Sequence, residues 1–146
     1  MARIYIGCDP GKSGAIAILT DAGKVACTIK LDGTEHDIAE SLRAAIQDAE
    51  PHAMLERVHA MPQQGVSSTF KFGQSFGFLR GLLVALQIPF DEVTPAKWQN
   101  EMKCRTRGDK NITKQAAQRR WPAERITHRT ADALLLAEHC RQVVRW

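Results

Sequence analysis

No run of about 18 consecutive uncharged apolar residues occurs in the chain, so a membrane-spanning helix is excluded. An N-terminal signal core is missing too. Met1-Ala2-Arg3-Ile4-Tyr5-Ile6-Gly7 reaches an acid at Asp9 before an apolar stretch of the needed length forms, so the sequence predicts no secretory signal and a cytoplasmic protein. Cysteine is sparse and scattered. Cys8, Cys27, Cys104 and Cys140 are never closer than 19 positions. With no CxxC pair, neither a disulfide framework nor a Cys-rich zinc site is expected, and the thiols read as reduced, small apolar groups. Internal repeats, low-complexity tracts and linker-like segments are all lacking, which predicts one domain over residues 1–146.

What is present suits a globular chain. Of 146 residues, 44% are apolar and 25% charged, enough to bury one core. The net charge of +4 conceals an asymmetry. Residues 1–96 hold 8 Lys/Arg against 11 Asp/Glu, whereas residues 97–146 hold 12 against 5. The basic half includes Lys103, Arg105, Arg107, Lys110, Lys114, Arg119 and Arg120. Such a cluster can attract the phosphates of a nucleic-acid backbone; a solvated face without a partner is the other reading.

Patterning predicts ten elements. Residues 3–9 read as a buried strand around Ile4 and Ile6, followed by the turn Pro10-Gly11-Lys12-Ser13-Gly14. Residues 15–19 and 24–31 form a hairpin across Asp21-Ala22-Gly23. Thr34 caps a helix with Asp37 in its first turn, and Ile38, Leu42, Ala45, Ile46 and Ala49 keep helical spacing as far as Pro51. Residues 53–58 are a short apolar strand interrupted by Glu56. After a loop, Ser67 or Ser68 caps a long helix to about Gln87. A strand at 89–93 leads to Thr94-Pro95, an N-cap followed by Pro at the first helical position. Residues 103–111 are basic and look mobile. Helices at 112–121 and from a Thr127 cap to about Val143 complete the order β-β-β-α-β-α-β-α-α-α. Three meandering strands before two separated by helices predict an α/β fold. Its five-stranded mixed sheet has the first three strands antiparallel and helices on both faces.

Three acids sit where apolar residues belong. Asp9 ends the first strand, Glu56 lies within Ala53-Met54-Leu55-Glu56-Arg57-Val58, and Asp132 lies within Thr130-Ala131-Asp132-Ala133-Leu134-Leu135-Leu136. Desolvating an unpaired carboxylate costs several kcal/mol, so each must meet a cation. Either each forms its own ion pair, with Arg57 and Arg129 as nearby candidates, or the three converge on a shared metal. All-oxygen ligation suits Mg²⁺ or Mn²⁺, and a pair of such ions about 4 Å apart supports phosphodiester hydrolysis.

The string Ile6-Gly7-Cys8-Asp9-Pro10-Gly11-Lys12-Ser13-Gly14 resembles the opening motif of RuvC-type Holliday-junction resolvases, in the RNase H-like superfamily. Asp-Pro-Gly also resembles the phosphate loop of sugar-kinase and Hsp70-like ATPases. The chain is too short for their two lobes, however, and lacks a second phosphate loop. Further matches follow in family order. Leu55-Glu56-Arg57-Val58 resembles the second acidic strand. Phe72-Gly73-Gln74-Ser75-Phe76-Gly77-Phe78-Leu79-Arg80-Gly81 resembles the "GQxxG" helix. Thr94-Pro95-Ala96-Lys97-Trp98 resembles the Pro-containing segment before the junction-binding region, and Ala131-Asp132-Ala133-Leu134-Leu135-Leu136-Ala137 the final "ADALxxA" helix.

The resemblance implies an RNase H-like fold and a structure-selective crossover junction endodeoxyribonuclease. Such an enzyme resolves Holliday junctions, with other branched DNA as further substrates in a phage-type branch of the family, by paired nicks leaving 5′-phosphates. It implies Mg²⁺ with Mn²⁺ as substitute, two ions per site, on Asp9, Glu56 and Asp132. The family's fourth ligand is Asp or His three residues before the last Asp, where this chain has Arg129. His128, four residues before Asp132, shares its helical face and can serve as a ligand or a general acid/base. Lys114 matches a basic position that neutralises the cut phosphate. Lys12, His59, Lys103, Arg105, Arg107, Lys110, Lys114 and Arg119 are the expected DNA contacts. An aromatic wedge usual after the second acid is replaced by His59, with Met61 and Phe70 further on. A homodimer through the Phe-rich helix near residues 68–87 is expected, since that helix has more large apolar groups than one buried stripe needs. Two rival readings are another RNase H-like nuclease cutting RNA–DNA hybrids and a non-catalytic junction-binding protein.

Overall fold

The computed structural model describes residues 1–57 and 63–146. Its elements are β1 (Ala2–Asp9), β2 (Ala15–Thr20), β3 (Val25–Lys30), α1 (Glu35–Ala45), β4 (Ala49–Glu56), α2 (Val66–Ala85), β5 (Phe90–Val93), α3 (Pro95–Glu101), α4 (Asn111–Arg120) and α5 (His128–Val143). The order is the one the sequence predicts. The strands form a single mixed sheet in the order β3-β2-β1-β4-β5. The β1–β2 and β2–β3 pairs are antiparallel, and the β1–β4 and β4–β5 pairs parallel.

Alternation along the strands builds two cores. Ile4, Ile6, Cys8, Ile16, Ile18, Ala53 and Leu55 face one way and pack with Ile38 and Leu42 of α1 and Leu79, Leu82 and Leu83 of α2. Tyr5, Ala15, Ala17, Leu19 and Met54 face the other way, against Trp98 of α3, Ala117 of α4 and Leu134 to Ala137 of α5. Helix α5 is buried from Thr130 to Cys140 except at the half-buried Asp132, which explains why Leu134-Leu135-Leu136 runs without a polar break. Gly7 makes this docking possible. A Cβ there would lie 2.1 Å from the Ala133 carbonyl oxygen and 2.4 Å from the Ala137 nitrogen.

Helix starts follow local chemistry. Thr34 accepts from the Asp37 N–H at 3.1 Å, and Thr94 accepts from the Lys97 N–H at 3.3 Å with Pro95 at the first helical position. Thr127 and Thr130 form a reciprocal capping box on α5.

Several expectations along the chain differ from the structure, beginning with α1, which ends at Ala45 with Ile46 as its C-cap rather than running to Pro51. Strand β4 starts at Ala49 rather than 53, because pairing with β1 recruits its polar half. Pro51 is tolerated there. The Ala53 N–H bonds to the Pro89 carbonyl, so the nitrogen of Pro51, two residues earlier, faces the same side, where β5 has not yet begun. Helix α2 is capped by Gly65, with no side-chain bond, instead of by Ser67 or Ser68. The basic segment expected to be mobile is tied down at its start. Cys104 is buried with its N–H on the Gln99 carbonyl, and the Gln99 side chain accepts from the Thr106 N–H. Among the described residues no helix is long and apolar enough to cross a membrane.

Candidate active site

Because β1 and β4 are parallel and adjacent, their carboxyl ends lie side by side. Cys8 pairs with Leu55, so Asp9 and Glu56 follow in the same register. Gly7 faces α5, and alternation sends Asp9 to that side as well. The second turn of α5 supplies Asp132 there. Asp9, Glu56 and Asp132 thus line one cavity of about 610 Å³, together with the turn 10–14, Lys110, Thr113, His128 and Arg129. A Cβ on Gly14 would stand 1.9 Å from the Asp9 carbonyl oxygen, so the turn folds back over the strand end only with glycine there. Ser75 of α2 accepts from the Gly11 N–H at 2.8 Å and pins the turn from outside.

The ion-pair alternative for the acids fails on geometry. Arg57 pairs with Glu92 at 3.4 Å, and Arg129 pairs with Asp32. None of the three carboxylates joins a salt bridge among the described residues. Their charge is therefore under strain. Burial pushes the Asp9 carboxyl well above the usual carboxylate range, repulsion from Glu56 and Asp132 adds to this, and Lys110 opposes it. Burial likewise pushes Glu56 up to about 7, against a hydrogen bond from Trp98 and with repulsion from Asp132. Asp132 is raised by burial, with the Thr113 hydroxyl, Lys110 and His128 acting in the opposite direction.

One side chain holds a carboxylate in place, and a second stands beside another. The Trp98 indole Nε1 donates to Glu56 Oε2 at 2.7 Å in a buried contact. The Thr113 hydroxyl donates to the Lys110 carbonyl at 3.2 Å, and Thr113 lines the cavity with Asp132 and opposes the rise of its carboxyl. Sequence reasoning assigned no role to either. A buried Trp needs an acceptor for its N–H, so Trp98 could have been paired with an acid; nothing in the sequence singles out Thr113.

The donor set fits a divalent cation: three hard carboxylates, partly desolvated, mutually repelling and without a compensating ion pair among the described residues. It is an open set. Among the described residues no three carboxylate, imidazole or thiol groups are gathered closely enough to make a ready-built metal cage.

Other expected site residues are placed as follows. His128 and the exposed Lys12 line the cavity. Lys110, at the N-cap of α4, also lines it, whereas Lys114, half-buried one turn later, does not. Lys103, Arg105 and Arg107 lie on the segment between α3 and α4, and Arg119 is exposed near the end of α4, all outside the cavity. His59 and Met61 lie outside the described residues. Phe72 of α2, unassigned by sequence reasoning, forms part of the cavity wall.

No protein-family model and no curated protein sequence matches the chain. Solved structures do. Thermus thermophilus RuvC in complex with a Holliday junction substrate superposes with a TM-score of 0.62 at 14% identity, over 94% of this chain and 91% of that one. A second structure of Thermus thermophilus RuvC gives 0.61 at 15% identity, over 93% and 92%. At such identities the likeness establishes the fold, and the chain has the RuvC-type, RNase H-like architecture.

Proposed function

We propose that residues 1–146 form a single nuclease domain, a divalent-metal-dependent endodeoxyribonuclease that cuts four-way and other branched DNA by paired nicks leaving 5′-phosphates. The observation that carries this reading is the pocket where β1, β4 and α5 bring together Asp9, Glu56 and Asp132, all without a salt bridge. Asp9, Glu56 and Asp132 would hold Mg²⁺ or Mn²⁺, with His128 completing the set for a second ion. When bound, the ions activate water and stabilise the charge on the leaving oxygen.

The chain's own groups do the rest. Trp98 fixes one Glu56 oxygen, so the other faces the cavity. Thr113 lines the same cavity as Asp132 and opposes the rise of its carboxyl. Lys110 meets the incoming phosphate at the cavity wall, and Lys114 supports it from the next turn of α4. Lys103, Arg105, Arg107 and Arg119 extend the basic surface along the DNA backbone, which supports binding by shape and charge rather than base-edge readout. The Holliday junction bound by the Thermus thermophilus neighbour supports a branched substrate.

A second copy of the chain suits a junction of near-twofold symmetry. Helix α2 offers it a seam. Gly73, Gly77 and Gly81 recur every four residues with open space beyond each, flanked by Phe70 at 66% exposure and Val84 at 61%. Small residues in that spacing let two helix backbones approach closely, and the exposed flanks supply apolar area. By analytical ultracentrifugation the protein is expected to sediment as a dimer and Gly77→Glu as a monomer; a monomeric parent protein would remove the seam.

The test of the activity compares a synthetic four-way junction, a fork and an RNA–DNA hybrid, each with Mg²⁺, Mn²⁺ or Ca²⁺. Symmetric nicks in the junction with Mg²⁺ and Mn²⁺ are expected. Cutting confined to the hybrid would favour a ribonuclease, and binding without cutting in any metal would leave a junction-binding protein.

A further inference from the structure

A second cleft adjoins the carboxylate pocket and shares Gly11, Lys12 and Phe72 with it as a common wall. It lies between the start of α1 and the N-terminal half of α2, and its volume of about 450 Å³ is that of a small-ligand site. Its lining is unlike a spare surface hollow. Phe72 is 37% exposed, with its ring edge against Gly11, and Phe78 is half-buried behind it. Lys12 and Lys71 both line the cleft, and neither is engaged by a carboxylate among the described residues. Gln74 and Glu35 add amide and carboxylate groups to the lining.

We propose that this cleft is a nucleotide subsite, taking a base beside the cut phosphate onto the face of Phe72, with Lys12 and Lys71 holding the flanking phosphates. The assignment rests on the nuclease reading of the adjoining pocket and extends it to how the strand is gripped. A strand whose phosphate meets the three carboxylates must leave the pocket over one of its walls. The shared wall is the one that carries both an aromatic face and an unpaired cation. A nucleobase needs a flat apolar partner and edge hydrogen bonds, which Phe72, Gln74 and Glu35 supply. The neighbouring phosphates need cations, which the two lysines supply. Glu35 disfavours phosphate next to itself and can accept from an exocyclic amino group, so base and backbone have separate places. The proposed dimer seam along Gly73, Gly77 and Gly81 runs beside the cleft, with Gln74 at the border between them.

The test uses a four-way junction in Ca²⁺, with 2-aminopurine placed in turn at each nucleotide around the branch point. On binding the full-length protein, emission at one position is expected to change at least about twofold as its base leaves the DNA stack, and Phe72→Leu is expected to lose that change. Lys71→Ala is expected to weaken junction binding about five- to tenfold at moderate salt and to make its salt dependence shallower. An identical fluorescence pattern with Phe72→Leu, or an unchanged affinity and salt slope with Lys71→Ala, overturns the subsite. Failure of the nuclease reading is read separately: a protein that binds the junction but never nicks it in Mg²⁺ overturns that reading, while the fluorescence still judges the cleft.

Discussion

Asp9→Asn is expected to lower Mg²⁺-dependent nicking of a four-way junction by about a thousandfold or more while leaving junction binding in Ca²⁺ within a few fold. The same substitution is expected to make the metal-free protein more stable at pH 8. Both effects have one origin. In the folded chain three carboxylates share a pocket in which burial raises each of them, with Glu56 carried from its usual 4.5 to about 7. Between those values the folded state binds more protons than the unfolded state, so stability falls as pH rises through the window. The shift at Glu56 alone corresponds to about 3 kcal/mol at most. Asparagine at position 9 removes one of the repelling charges. In EDTA the substitution should therefore stabilise by about 1–3 kcal/mol at pH 8 and by much less at about pH 2.5, below the ordinary Asp and Glu values, where the acids are largely protonated in both states. Mg²⁺ should stabilise the parent protein more than the variant, since a ligand that binds only the folded state adds to its stability. Thermal melts across pH with and without Mg²⁺, together with a nicking assay, check all of this. Equal nicking by the two proteins, or a variant less stable than its parent at pH 8 in EDTA, would contradict it.

Gly7→Ala is expected to cost about 3 kcal/mol or more and to lower the melting temperature by about 10 °C. A single added methyl rarely does so much. Here it would meet backbone, 2.1 Å from the Ala133 carbonyl oxygen and 2.4 Å from the Ala137 nitrogen, and backbone in a buried helix cannot swing aside. Helix α5 would have to lift from β1, and it carries Asp132. The folded fraction should therefore lose nicking as well, by about a hundredfold, because a shift near 1 Å at a reacting centre has effects of that size. Denaturation curves and single-turnover cleavage at low temperature separate the two losses. A variant with an unchanged melting temperature would mean that α5 docks more loosely than its contacts with β1 imply.

The fold class was legible because its signals are local. Alternation around Ile4 and Ile6, the caps at Thr34, Thr94 and Thr127, and the turn at residues 10–14 each depend on a few neighbours along the chain. The acids at 9, 56 and 132 stood out for a similar reason, since a carboxylate inside an apolar run contradicts its surroundings. The start of β4 did not stand out. Glu50, Pro51 and His52 carry no strand signal, and only the presence of β1 alongside makes them a strand.

By itself, then, the amino-acid order determined which segments become strands and helices, their succession, and where charge is forced into apolar surroundings. Tertiary structure decided what those charges meet. Arg57 and Arg129 sit next to or near the acids in the chain yet pair with Glu92 and Asp32 instead, Arg129 while lining the same cavity. Trp98 reaches Glu56 from 42 residues away, and Lys110 rather than Lys114 lines the cavity because α4 begins where it does. The difference is physical. Backbone conformation follows from neighbours a few residues apart, whereas the direction and partner of a side chain depend on the phase of its helix and on surfaces contributed by distant parts of the chain.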